Sequence, residues 1–163
     1  MKGTYIIVIY LLENSKIKIG SLGEIDFVKG YYLYVGSAMG NRGSTTLENR
    51  VKRHISKQKN KKIFWHIDYL LTNTKCVITR IYLVPSLNRL ECIIAKEISE
   101  ISDNFIKFFG STDCECLSHL YYFQKFGGLT NVGEPAWPRL KNPIQFNFLK
   151  FLKFFNFAID FNI

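Results

Sequence analysis

A chain of 163 residues supports one well-buried core and falls short of two ordinary domains with separate cores. With 47% hydrophobic and 21% charged residues it has the balance of a folded chain, which excludes an intrinsically disordered polymer. The 22 Lys and Arg against 13 Asp and Glu leave a formal charge of +9, which attracts polyanions; nucleic acid is the natural partner class, although acidic proteins and anionic lipid answer to the same charge.

Thr4 to Leu12 is rich in Ile, Val and Tyr and stops at the turn-forming Glu13-Asn14-Ser15, which predicts a buried strand. The apolar run is far too short to cross a bilayer, and no transmembrane segment is expected. Lys16-Ile17-Lys18-Ile19 alternates polar with apolar, and Gly20 and Gly23 break the run before Glu24 to Phe27, so a hairpin follows. Gly30 opens a second strand, Tyr31 to Gly36, that stops at Gly36-Ser37-Ala38 and gives way to a glycine-rich loop through Gly43.

Thr45 and Glu48 have capping-box spacing, and Leu47, Val51 and Ile55 recur every four residues, which predicts an amphipathic helix to about Gln58 with Arg50, His54 and Lys57 on a neighbouring face. Trp65 to Leu71 is expected as a short helix and Cys76 to Val84 as a strand ended by Pro85. Leu90, Ile94, Ile98 and Ile101 form the apolar stripe of a helix running from Ser86 to about Ser102, with Glu91 at the stripe's edge. Thr112 and Glu115 repeat the capping spacing and predict a third short helix through Leu117, Leu120 and Tyr121. Pro135, Pro138 and Pro143 oppose helix beyond it. The domain is accordingly set at residues 1–143. Residues 144–163 form a Phe-, Asn- and Lys-rich tail in which Phe148, Leu149, Leu152, Phe155 and Ile159 approximate a helical face, and core packing, a membrane surface or a protein partner all suit it.

Cys76, Cys92, Cys114 and Cys116 lack the dense spacing of a secreted disulfide framework and no signal peptide precedes them, so reduced thiols in a cytoplasm are expected. Cys114, Cys116 and His119, with Cys92 as a fourth, are zinc-ligand types. Their spacing is not that of standard knuckles, and packed thiols beside a hydrogen-bonded histidine are the expectation. For His66 and Asp68 a substrate contact is the alternative, and a local structural hydrogen bond is the expectation.

Gly3-Thr4-Tyr5 and Tyr34-Val35-Gly36 resemble the paired signature of the GIY-YIG nuclease superfamily, with the middle residue changed in both. Arg50 and His54 on one helix and Glu91 on a later one follow in the superfamily's order. Trp65-His66-Ile67-Asp68-Tyr69 and the segment Phe109 to Leu120 resemble a poorly characterised prokaryotic branch of it, found alone or beside an endonuclease III-like glycosylase, so the likeness covers residues 3–140. It implies an α/β sandwich with a small mixed or antiparallel sheet flanked by helices, and hydrolysis of phosphodiesters in DNA, in repair or recombination, with one divalent metal, Mg²⁺ or Mn²⁺.

By that resemblance Tyr5 is the general base or a relay to the attacking water, which requires positive charge to hold its phenol below the usual pKa of about 10. Tyr34 brings a second phenol, Arg50 a forked donor to the phosphate, His54 a neighbour on the same helical face, and Glu91 the metal-binding carboxylate, with Glu97 as its competitor. Taken singly, the tyrosines are ordinary strand aromatics and Arg50, His54 and Glu91 ordinary helix-surface residues. Two departures from the superfamily pattern stand out. Tyr34 lies 29 positions after Tyr5, a longer separation than usual, and the asparagine expected after the metal-binding Glu has only Asn104 as a candidate. The alternative is a non-catalytic nucleic-acid-binding module on the same fold.

Overall fold

The computed structural model describes residues 1–56 and 62–127 and, as backbone alone, the strand Ala158–Asp160. In chain order the strands are β1 (Gly3–Leu11), β2 (Ser15–Lys18), β3 (Glu24–Phe27), β4 (Gly30–Ala38), β5 (Cys76–Pro85), β6 (Asn104–Phe105), β7 (Leu120–Phe123) and β8 (Ala158–Asp160), and the α-helices are α1 (Leu47–Ile55), α2 (His66–Thr72) and α3 (Glu91–Ser99). One sheet runs β6-β7-β4-β1-β5-β8, and every pairing within it is antiparallel. The fold is thus α+β, as the sequence leads one to expect, and the sheet is antiparallel, one of the two forms expected.

β1 is central, flanked by β4 and β5, and covered on both faces, which is why its sequence is a continuous Ile, Val and Tyr run with little polar alternation. Tyr5, Ile7, Ile9 and Leu11 face a core completed by Leu47 and Val51 of α1 and Ile67 and Leu70 of α2. Ile6 and Val8 face the other side, with Ile94, Ala95 and Ile98 of α3. Helices therefore cover both faces of the sheet.

The long separation of the two tyrosine motifs is accommodated outside this sheet. β2 and β3 form their own two-stranded ladder, and Ile17, Ile19 and Phe27 pack into the α1–α2 side of the core. β1 and β4 then pair without a bulge from Gly3↔Ala38 to Leu11↔Gly30. Because Tyr5 sits opposite Gly36 and Ile7 opposite Tyr34, the two phenols share one face of the sheet, at the end where β1 begins and β4 finishes.

Local patterns set the elements with four exceptions. Helix α1 is capped by Thr46, whose hydroxyl accepts from Asn49 N, while Glu48 turns to the Met1 ammonium and closes no box with Thr45. Its expected extension to Gln58 stops at Ile55 in the described residues, and Lys57 lies outside them. Helix α3 begins at Glu91 and not near Ser86, because the Ser86 hydroxyl accepts from Asn88 N in a local turn and Leu87 is left exposed. The third helix does not form. Thr112 and Glu115 are exposed in a looped segment, and Leu120-Tyr121-Tyr122-Phe123 becomes β7, where cross-strand pairing with Tyr31 to Tyr34 outweighs a local capping pattern. Ala158–Asp160 of the tail is a strand paired with Arg80, Ile81 and Tyr82, so the helical face expected through Ile159 is not formed there; the rest of the tail and its prolines lie outside the described residues.

Candidate functional site

A cleft of about 290 Å³ opens at the end of the sheet and is lined by Tyr5 and Tyr34 from the strands, Arg50 from α1, Glu91 from α3, and Trp65, His66 and Asp113 among others. Four of the five residues singled out from the sequence thus meet in one place. His54 lies one layer beneath, 3% exposed, with its Nε2 2.9 Å from the Tyr5 hydroxyl.

Two glycines explain how the phenols come to sit there. A side chain at Gly36 would place its Cβ 2.5 Å from both Cζ and the hydroxyl of Tyr5, so only glycine leaves room for that ring to lie across β4. At Gly3 a Cβ would come 2.5 Å from the Val84 carbonyl oxygen of β5. The Tyr5 and Tyr34 ring centroids are then 6.3 Å apart, in a tilted arrangement.

Burial, followed by the neighbouring Tyr34 phenol, pushes the Tyr5 pKa well above its usual value, and Arg50 opposes this without reversing it. Tyr34 is raised likewise, by burial first and then by Glu91. From the chain's own groups, the phenol therefore stands above its usual pKa and not below it. Proximity to an arginine was the right observation, but removal from water is the stronger effect.

Arg50 donates from Nη1 to the Ser37 carbonyl at 3.2 Å, and its guanidinium lies 4.6 Å from the centre of the Trp65 ring. The opposite face of the cleft is set by Ser37 again. Its hydroxyl donates to Glu91 Oε2 at 2.5 Å, so one strand-end residue ties the guanidinium and the carboxylate together from backbone and side chain. Glu91 Oε1 lies 3.4 Å from His119 Nδ1, and Arg89 Nε lies 3.8 Å from Oε2. Burial works to raise the Glu91 pKa, yet the hydrogen bonds from His119 and Ser37 and the charge of Arg89 outweigh it and hold the carboxyl below its ordinary value. It is ionised at neutral pH.

Beneath the cleft, Asp68 is fully buried and heavily hydrogen-bonded. It accepts a fork from Arg53 at 2.8 and 2.7 Å and the backbone N–H groups of Phe64 and Trp65 at 3.0 Å each. Burial acts to raise its pKa, but these donors hold it down at about 2. Its Oδ1 lies 3.8 Å from His54 Nδ1, so Asp68, His54 and Tyr5 form a buried line ending at the cleft. The local hydrogen bonds expected of Asp68 are present, with a long-range partner added. His66 accepts from Gly110 N at 3.2 Å and lines the cleft.

Two competitors fall away. Glu97 does not line the cleft. Asn104 is exposed on β6, its side chain accepting from the adjacent Phe105 N. Ser37 and Arg53 are not singled out from the sequence; Asp68 is named there only as an alternative substrate contact and His119 only as a zinc-ligand type. Their signal exists only in three dimensions, as pairings between positions far apart in the chain.

All four cysteines are free. Cys92, Cys114, Cys116 and His119 present ligand atoms that all lie within 4.8 Å of one another, on the far side of His119 from the cleft. Among the described residues no helix is long and apolar enough to cross a membrane. The family described as domain of unknown function DUF123 matches residues 4–137. No curated protein and no solved structure matches the chain.

Proposed function

This chain belongs to the DUF123 family of domains, and we propose that it is a divalent-metal-dependent nuclease of the GIY-YIG type that hydrolyses phosphodiesters, with DNA as the substrate class. The observation that carries this reading is the convergence of Tyr5, Tyr34, Arg50 and Glu91 on one polar cleft from four separate elements. A strand aromatic or a solvated helix face would give no reason for these side chains to meet. The net charge of +9 suits a polyanionic substrate.

The residues fit a hard cation. Mg²⁺ takes one or two carboxylates and fills its remaining positions with water and substrate oxygens. Glu91 supplies one ionised carboxylate that borders the cleft and is held in place by Ser37 and His119. Mg²⁺ or Mn²⁺ bound there supplies positive charge to the phosphate and to the departing oxygen.

The chain's own groups divide the rest of the work. Arg50, braced by Trp65 and the Ser37 carbonyl, offers its remaining N–H groups to the phosphate oxygens, whose charge grows as the bond breaks. Tyr5 does not act as a standing phenolate. It takes a proton from the attacking water as it passes its own to His54 Nε2, and Asp68 faces the imidazole from the other side. The proton thus moves without a charged phenol in a buried site. Tyr34 orients the water or the phosphate beside it.

The test is incubation of the purified chain with a panel of single-stranded, duplex, branched and RNA substrates, with Mg²⁺, with Mn²⁺ and with chelator. Metal-dependent strand scission supports the reading. Binding that needs no metal and leaves every substrate intact supports a non-catalytic nucleic-acid module on the same fold.

A further inference from the structure

The segment from Phe109 to His119 is an irregular loop that does two jobs at once. Gly110, Thr112 and Asp113 line the cleft, whereas Cys114, Cys116 and His119 turn away from it toward Cys92 at the start of α3. Such a loop has few ladder hydrogen bonds of its own. It is closed by Phe108 N to Leu117 O and His119 N to Phe109 O, both 2.8 Å. His119 is 1% exposed, and its Nε2 lies 3.5 Å from Cys114 Sγ while its Nδ1 faces Glu91.

We propose that Cys92, Cys114, Cys116 and His119 bind one structural Zn²⁺ through three thiolates and the His119 Nε2, and that His119 Nδ1–H, donating to Glu91, couples this ion to the cleft. Three sulfurs and one imidazole are a standard composition for a closed tetrahedral zinc site. Zn–S bonds of about 2.3 Å place the corners of such a tetrahedron about 3.8 Å apart. The four ligand atoms already lie within 4.8 Å of one another, and the Cys114–His119 pair is at 3.5 Å, so closing the shell takes movements of less than about 1 Å.

Binding displaces the three thiol protons to solvent, with no redox change. It also fixes the tautomer of His119: a ring that ligates through Nε2 carries its proton on Nδ1, directed at a carboxylate, as metal-bound histidines usually do. The ion would thereby pin both the cleft-lining loop and Glu91. The zinc site stands on its own ligands, and only the consequence for Glu91 rests on the nuclease reading.

The experiment uses the full chain and zinc alone. Metal analysis of protein purified without chelator, with residue-resolved alkylation before and after chelation, is expected to give one zinc per chain, with Cys92, Cys114 and Cys116 protected only when zinc is present and Cys76 on β5 unchanged as the internal reference. Glu91→Gln is expected to keep one zinc but bind it about 10- to 100-fold more weakly in a chelator competition. Absence of stoichiometric zinc, iron in its place, or protection that fails to include all three thiols overturns the site. Unchanged zinc affinity in Glu91→Gln overturns the coupling. Neither readout depends on cleavage, so they remain decisive whether or not the chain cuts nucleic acid.

Discussion

The Tyr5 hydroxyl lies 2.9 Å from His54 Nε2, and that imidazole in turn faces Asp68 at 3.8 Å, so the one phenol that borders the cleft on the central strand has a buried imidazole as its partner. A phenol with a raised pKa is a poor base on its own, and the relay proposed through His54 rests on this contact.

Tyr5→Phe and His54→Ala should therefore fail in the same way. Each is expected to lower the cleavage rate by about 100- to 10,000-fold with little change in substrate affinity. Their double variant should be no worse than the weaker single one, because the two groups serve one transfer. Single-turnover rates check this, with circular dichroism to establish that each variant folds. Additive losses would show that the two side chains act independently.

Gly36→Ala tests the architecture beneath the phenol. The added methyl meets Tyr5 at 2.5 Å, so either β4 shifts or the ring leaves its position. A loss of about 1–3 kcal/mol in stability is expected, together with a drop in activity larger than that loss explains. Denaturant unfolding and a rate assay on the folded fraction measure the two separately.

Asp68 gives a pH signature with a defined sign. Its folded pKa of about 2 lies below the usual 3.8, so it contributes stability that is fully present above about pH 4 and is lost as the pH falls toward 2. The contribution is on the order of 2 kcal/mol. Asp68→Asn should be less stable at neutral pH, because the buried fork to Arg53 is broken, and the gap between the two proteins should narrow as acid is added. Thermal unfolding from pH 7 to pH 2.5 checks it; a gap of constant size would contradict it.

Phe64 is 70% exposed at the lip of the cleft, where a large apolar ring gains nothing from the core. Stacking on a substrate base is worth about 1–3 kcal/mol, so Phe64→Ala should weaken single-strand binding by roughly ten-fold while leaving the unfolding midpoint almost unchanged. Fluorescence anisotropy at fixed salt reads this directly.

The strands β1 and β4 and the helices α1 and α3 were legible because hydrophobic period and composition act locally, whereas Tyr5, Tyr34, Arg50, His54 and Glu91 were grouped only through the resemblance to a known family, and four of them line one cleft. Ser37 was read as a strand end, since nothing in a serine beside a glycine tells that its carbonyl and hydroxyl will meet Arg50 and Glu91. The Asp68–Arg53 fork and the His119–Glu91 contact arise from topology alone. Sequence shows which charges lie near Tyr5 but not how far the ring is removed from water. The helix expected at Thr112 gave way for the same class of reason: a capping pattern is a local preference, and β7 is held by β4.

The claim that one ionised carboxylate in this cleft serves a phosphodiester reaction is tested most directly by the single-turnover cleavage rate of the parent chain and of Glu91→Gln, each titrated with Mg²⁺. The parent should show saturable metal-dependent scission, and Glu91→Gln, though folded, should lose at least about 100-fold in rate. Equal rates and equal metal dependence in the two proteins would contradict it.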